Sequence, residues 1–194
     1  MSENQRSIND LTDKEILTSL YLSQLGMFMI ALIGAYFLFE DINAFFQLFS
    51  FTWYELTVFG IGFAVIVVSI DLILYQFVPA RHLDDGGINE RVFKERKIPH
   101  MIILCLVIAV AEELLFRAVL QTAFGLVIAS LIFALVHVRY IAKPILFSFV
   151  LVVSFSLGLL FEYTNSVTVT ITAHFLIDFI FGMFLRNNAR KIKK

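Results

Sequence analysis

Charge, cysteine and proline are all scarce in this chain. Only 16% of its 194 residues are charged, while 59% are hydrophobic; an ordinary soluble domain carries about 25% charge. With 22 Phe and a mean hydropathy of +0.85, the composition excludes that class and fits a membrane protein. The lone cysteine, Cys105, excludes an intrachain disulfide and a cysteine-based metal cage. The opening stretch MSENQRSINDLTDKEILT lacks the short basic start and cleavage site of a secretory signal, so the N-terminus is expected to be retained. The net charge of −1 hides a strong segregation of charges, and no nucleic-acid partner is expected.

What the chain does have is long apolar runs. A helix needs about 17 to 25 such residues to cross the hydrocarbon at 1.5 Å per residue. Six segments qualify: 21–39, 56–78, 101–121, 124–141, 145–161 and 166–185. The expected fold is all-α and polytopic, with about six transmembrane helices enclosing a polar cavity. Pro79, Pro99 and Pro144 fall at segment edges, where a missing N–H is tolerated. There is no internal repeat. The expected organisation is a cytoplasmic tail (1–20), two helices and a cytoplasmic loop (21–98), a C-terminal membrane domain (99–185) and a basic tail (186–194).

The basic residues set the orientation. With six crossings and a cytoplasmic N-terminus, the inside segments hold Arg6, Lys14, Arg81, Arg91, Lys94, Arg96, Lys97, Arg139, Lys143, Arg186, Arg190, Lys191, Lys193 and Lys194, that is, 14 of 15. The outside segments hold none, which is the positive-inside partition. The chain is accordingly expected in the cell membrane, multi-pass, with both termini cytoplasmic. Trp53, Tyr54 and Tyr163 sit where an aromatic belt is expected.

The fifteenth basic residue is Arg117, inside the stretch AVAEELLFRAVL (109–120). Ionisable groups within a membrane segment are costly and mark function; here they are Asp71, Glu112, Glu113, Arg117, His137, His174 and Asp178. At 100° per residue Glu113 and Arg117 share a face, acid before base, the favoured order for a pair. Glu112 is turned about 140° away from Arg117, which leaves it as the free carboxylate. His174 and Asp178 are four apart, as are Phe133 and His137. By helical rise Glu112 and His174 lie at one depth, about 18 Å from the cytoplasmic side, and His137 is shallower. Glu112, His137, His174 and Asp178 are therefore expected to line a funnel-shaped cavity opening to the cytoplasm. Asp71 matches no pattern and is expected to serve as a helix–helix hydrogen-bonder or a partner for a cation such as Arg117.

EELLFR (112–117), FALVH (133–137) and HFLID (174–178) occur in that order, each inside an expected membrane helix. They resemble the three motifs of the CAAX protease and bacteriocin-processing (CPBP, or Abi) family of intramembrane proteases, over roughly 99–185. The resemblance implies an endopeptidase acting on a peptide or membrane-protein substrate. Glu112 then looks like the general base that activates water, assisted by His137, while His174 and Asp178 resemble the group that steadies the oxyanion. Glu113, Arg117 and Phe133 take supporting positions.

Many family members have Asn where Asp178 stands, and a carboxylate donates no hydrogen bond unless protonated. Asp178 is thus either neutral, or orients His174, or binds a metal. His137, His174 and Glu112 also make a plausible first shell for a divalent ion such as zinc, so the chemistry is either metal-free or metal-dependent. Two other classes compete: a catalytically silent scaffold or bacteriocin-immunity-type factor, and a proton- or ion-coupled transporter. The transporter ranks below because neither half of the chain mirrors the other.

Overall fold

The computed structural model describes residues 11–83 and 85–192. Of the basic residues on which the expected orientation rests, Arg6, Lys193 and Lys194 lie outside these, as does most of the N-terminal tail. Among the described residues every element is helical: α1 (Asp13–Leu38), α2 (Ile42–Gln47), a π-helical stretch (Glu55–Ile61) leading into α3 (Gly62–Phe77), α4 (Ala80–Leu83), α5 (Ile88–Phe93), α6 (Ile98–Glu113) running into a second π-helical stretch (Leu114–Gln121), α7 (Thr122–Val136), α8 (Val138–Ile141), α9 (Pro144–Thr164) and α10 (Val167–Ile192).

Local chemistry sets the ends of these elements. Thr12 and Glu15 form a capping box at the start of α1, each satisfying a backbone N–H of the other. Pro99 and Pro144 stand in the first turns of α6 and α9, where no N–H is needed. Pro79 follows Val78, the extended residue that closes α3. Asn165, at φ 47°, takes the left-handed conformation that ends α9.

Five helices are long and apolar enough to cross a membrane: Asp13–Leu38, Glu55–Phe77, Ile98–Val136, Pro144–Thr164 and Val167–Asn188. The sequence gives six crossings, and the difference lies wholly in Ile98–Val136, a stretch of 39 residues. It is not a straight rod. Gly125, at φ 81° and ψ 169°, breaks the helix, a backbone that only glycine adopts without strain. In a continuous helix Phe116 and Phe133 would stand about 25 Å apart; their ring centroids are 4.8 Å apart, edge to face. The chain therefore folds back at Gly125 as a helical hairpin, α6 descending into the π-helical stretch and α7 returning against it.

The two ends of the bundle differ in chemistry. At one end Arg91 donates to the Asp13 carboxylate at 2.6 Å and to the Leu11 carbonyl, Arg186 donates to the Arg96 carbonyl, and Asn89, Arg139 and the Tyr140 hydroxyl bond to one another. At the other end the Val167 N–H and the Thr168 hydroxyl donate to the Leu48 and Phe49 carbonyls. Trp53, Tyr54 and Tyr163, all exposed, ring that second end. All the contacts involving arginines just named sit at the first end.

The molecule is dressed for lipid. Large apolar side chains such as Leu22, Ile33, Phe37, Ile66, Phe77, Val127 and Leu159 are more than half exposed, while Gln24, Glu112, Glu113, Arg117, Gln121 and Ser154 are buried. That inversion suits a solvent of hydrocarbon, where backbone polar groups are satisfied within helices and polar side chains face one another. The chain is a multi-pass, all-helical membrane protein.

Candidate active site

The site is built where α6 ends. Glu112 and Glu113 are its last two residues, and from Leu114 the backbone widens into the π-helical stretch through Gln121. Such widenings usually span one turn and cluster at functional sites; this one is longer and carries Arg117 at its middle.

Glu113 and Arg117 form the pair expected from their spacing. Arg117 Nε donates to Glu113 Oε2 at 3.3 Å, and both side chains are 0% exposed. The guanidinium is enclosed on every remaining side: Nη1 donates to Gln121 Oε1 at 3.1 Å, Nη2 to Ser154 Oγ at 3.1 Å, and the ring of Phe133 lies 5.6 Å from Cζ. Gln121 Nε2 in turn donates to the Gly158 carbonyl at 2.8 Å. Gly158 is required at that point, because a Cβ there would come within 2.9 Å of both Arg117 Nη1 and Gln121 Oε1 and would strike Leu126. Asp71, a suggested partner of Arg117, is not in this cage; it lies instead within electrostatic reach of Asp178.

The second oxygen of Glu113 reaches across to α10, where His174 Nδ1 donates to Oε1 at 2.9 Å. That bond fixes the imidazole, and its other nitrogen faces two acids: Nε2 lies 3.9 Å from Glu112 Oε2 and 3.7 Å from Asp178 Oδ2. Neither distance is a hydrogen bond. Glu112, Glu113, His174 and Asp178 thus meet around one imidazole, and Asp178 is the most open of them, its side chain 28% exposed.

His137 stands at the edge of this cluster. It terminates α7 with a non-helical φ/ψ of −80°/50°, and its Nδ1 lies 2.8 Å from the carbonyl of Phe133. A helix end leaves such carbonyls without partners, so Nδ1–H donation caps the helix and leaves Nε2 as the nitrogen with a lone pair. The His137 ring packs 4.8 Å from the Phe133 ring, which is itself 6.2 Å from His174. His137 also comes within electrostatic reach of Asp178. Phe133 therefore separates the two histidines while contacting both and covering Arg117.

One residue was not legible from the motifs. Glu112, expected as a free carboxylate, has a partner: Gln24 Nε2, on α1, donates to Glu112 Oε1 at 2.9 Å. Of the buried residues of α1, Ile16, Gln24 and Ala31, Gln24 alone is polar, and an amide at that depth of a membrane-length helix is the signal that marks it. A zinc shell needs three ligands converging at about 2 Å on one point. Among the described residues no three His, Cys, Asp or Glu side chains converge to hold an ion, and the His137, His174 and Glu112 set does not form one as arranged.

The family model described as Type II CAAX prenyl endopeptidase Rce1-like matches residues 94–180, which takes in all three motifs and the whole of the α6–α7 hairpin. A relative from Bacillus subtilis (strain 168), the uncharacterized protein YpbD, is 44% identical over 165 residues, covering 85% of this chain and 87% of the relative. No solved structure matches the chain. The motif order, the pairing within EELLFR and the convergence of HFLID upon it agree with that match, and the chain belongs to the Rce1-like, CPBP family of CAAX-type intramembrane proteases.

Proposed function

We propose that the chain is a membrane endopeptidase in which Glu112 activates water for attack on a peptide bond. What supports the reading above all is the geometry around His174 Nε2: Glu112 and Asp178 approach it at 3.9 and 3.7 Å without closing a hydrogen bond. Buried polar groups are normally satisfied, so acids held at this spacing have room for a reacting group between them.

Glu112 takes a proton from water, and the hydroxide formed attacks the scissile carbonyl carbon. His137 assists through Nε2, its Nδ1 being committed to the Phe133 carbonyl. The carbonyl oxygen becomes an oxyanion, and His174, held by Glu113 and protonated at both nitrogens, donates to it through Nε2. Asp178 faces that same nitrogen and orients it. The proton on Glu112 passes to the leaving amine as the C–N bond breaks. The substrate is a membrane-associated peptide, with a prenylated C-terminal C-a-a-X sequence the first class to try in view of the family. The arginine-bearing end of the bundle is the cytoplasmic one.

The test is cleavage by the reconstituted protein of an internally quenched C-a-a-X peptide, prenylated or not, together with mass spectrometry of peptides released in membranes carrying the wild type or Glu112→Ala. Turnover by the wild type and none by a folded Glu112→Ala is expected. Full turnover by Glu112→Ala would overturn the mechanism, and a chelator arm reports whether a divalent ion takes part.

A further inference from the structure

Gln24 lies on α1, outside the matched segment 94–180, yet it touches the residue assigned as the base. Its side chain is buried, 2% exposed, and its amide is used unevenly. Nε2 donates to Glu112 Oε1 at 2.9 Å, while Oε1 is buried without a hydrogen-bond partner. A glutamine that merely glues helices together is expected to satisfy both ends of its amide. Here the donor end is spent on the carboxylate, and the acceptor end is left at a cost.

A carboxylate that must take a proton through one oxygen needs its other oxygen fixed. Rotation about the last side-chain torsion of Glu is broad and poorly held by packing alone. The Gln24 donor pins Oε1, and that leaves Oε2 as the oxygen facing His174 Nε2. We propose that Gln24 is a positioning residue that orients Glu112 for proton abstraction, so that α1 completes an active site whose motifs all lie in the C-terminal half. The inference rests on the assignment of Glu112 as the base.

Packing shows that α1 is placed to do this. It lies along both α6 and the π-helical stretch, with Ala31 buried in the same apolar cluster as Leu115 and Val119. Gly34 meets Val119 so closely that a Cβ there would come within 2.6 Å of it. Tyr21, one turn before Gln24, stacks on His100 of α6, its hydroxyl 3.0 Å from Nε2. The register of α1 against α6 is thus fixed on both sides of Gln24.

The experiment compares the wild type, Gln24→Met and Gln24→Asn, purified and reconstituted, using the C-a-a-X peptide that the wild type cleaves. Met keeps the length and removes the donor; Asn keeps an amide one methylene short of Glu112. Turnover is expressed per folded molecule, with folding followed by thermal unfolding in detergent. Gln24→Met is expected to lower kcat about ten- to hundredfold with KM within about twofold, the signature of losing a charge-assisted hydrogen bond that matters in the transition state. Gln24→Asn is expected to fall between it and the wild type.

A purely structural residue would lower the unfolding midpoint and leave kcat per folded molecule unchanged, and that result in either variant overturns the proposal. Failure of both variants to fold overturns it too, since Gln24 is then a determinant of the fold. Unchanged kcat in the Gln24 variants with an inactive Glu112→Ala sinks only this inference; an active Glu112→Ala sinks the assignment of the base beneath it.

Discussion

Two clusters of buried charge share Glu113 and are finished differently. Around Arg117 the hydrogen-bonding capacity is met by Glu113, Gln121 and Ser154, with Phe133 over the guanidinium face, and nothing is exposed. Around His174 only the Nδ1 side is closed; Nε2 faces Glu112 and Asp178 beyond hydrogen-bond distance, and Asp178 is partly open. The closed cluster has no vacancy for a substrate and serves the fold. The open one has room for a reacting group, and it is the cluster to which we assign the proposed chemistry. Glu113 joins them, so the rigidity of the first is transmitted to the imidazole of the second.

Several changes break or sharpen this contrast. The largest expected effect is from Glu112→Gln, which should reduce turnover about a thousandfold or more, within the range of general-base catalysis plus lost hydroxide attack. Thermal unfolding in detergent should be nearly unmoved, because Gln24 can pair with an amide. Arg117→Met should do the reverse. It leaves Glu113 Oε2 without its partner, and removing one partner of a buried pair costs about 3 to 5 kcal/mol, read as a large fall in unfolding midpoint and in the yield of folded protein.

Gly158→Ala tests the cage more gently, since the added methyl must push aside Arg117 Nη1, Gln121 and Leu126. A loss of about 1 to 3 kcal/mol is expected, as for overpacking in general. Asp178→Asn should keep turnover within about tenfold of the wild type, because an amide also faces His174 and adds a donor to the oxyanion. A near-complete loss there would assign Asp178 to the chemistry as a carboxylate. Smallest of all, Arg91→Gln removes a half-exposed pair with Asp13 and should cost no more than about 1 kcal/mol.

Much of the site was legible because its parts are local. The four-residue spacing of Glu113 and Arg117 survives even though the backbone between them has become π-helical, and His174 and Asp178 share a face of α10 as periodicity requires. The third and fourth crossings are expected over 101–121 and 124–141, and the chain reverses at Gly125, just inside the second of these.

What could not be read was tertiary. The Gln24–Glu112 bond spans 88 residues of sequence and has no periodic signature. The π-helical stretch Leu114–Gln121 is packed upon by α1, α7 and α9, and no residue pattern announces its widening. Among the described residues Asp71 pairs with no cation; Arg117 is held instead by Glu113, Gln121 and Ser154.

The reversal at Gly125 also bears on how the protein enters its bilayer during synthesis. A segment carrying Glu112, Glu113 and Arg117 is poorly suited to partition into lipid alone, whereas the helix after Gly125, with Leu126, Val127, Ile128, Leu131 and Ile132, is strongly apolar. Joined by one glycine, the two are best delivered to lipid as a single unit, the second leg carrying the first. Gly125→Leu, which disfavours the left-handed turn, should therefore leave a fraction of chains with altered topology. Glycosylation sites engineered on either side of the hairpin would count that fraction, and an unchanged pattern would show that the legs insert independently.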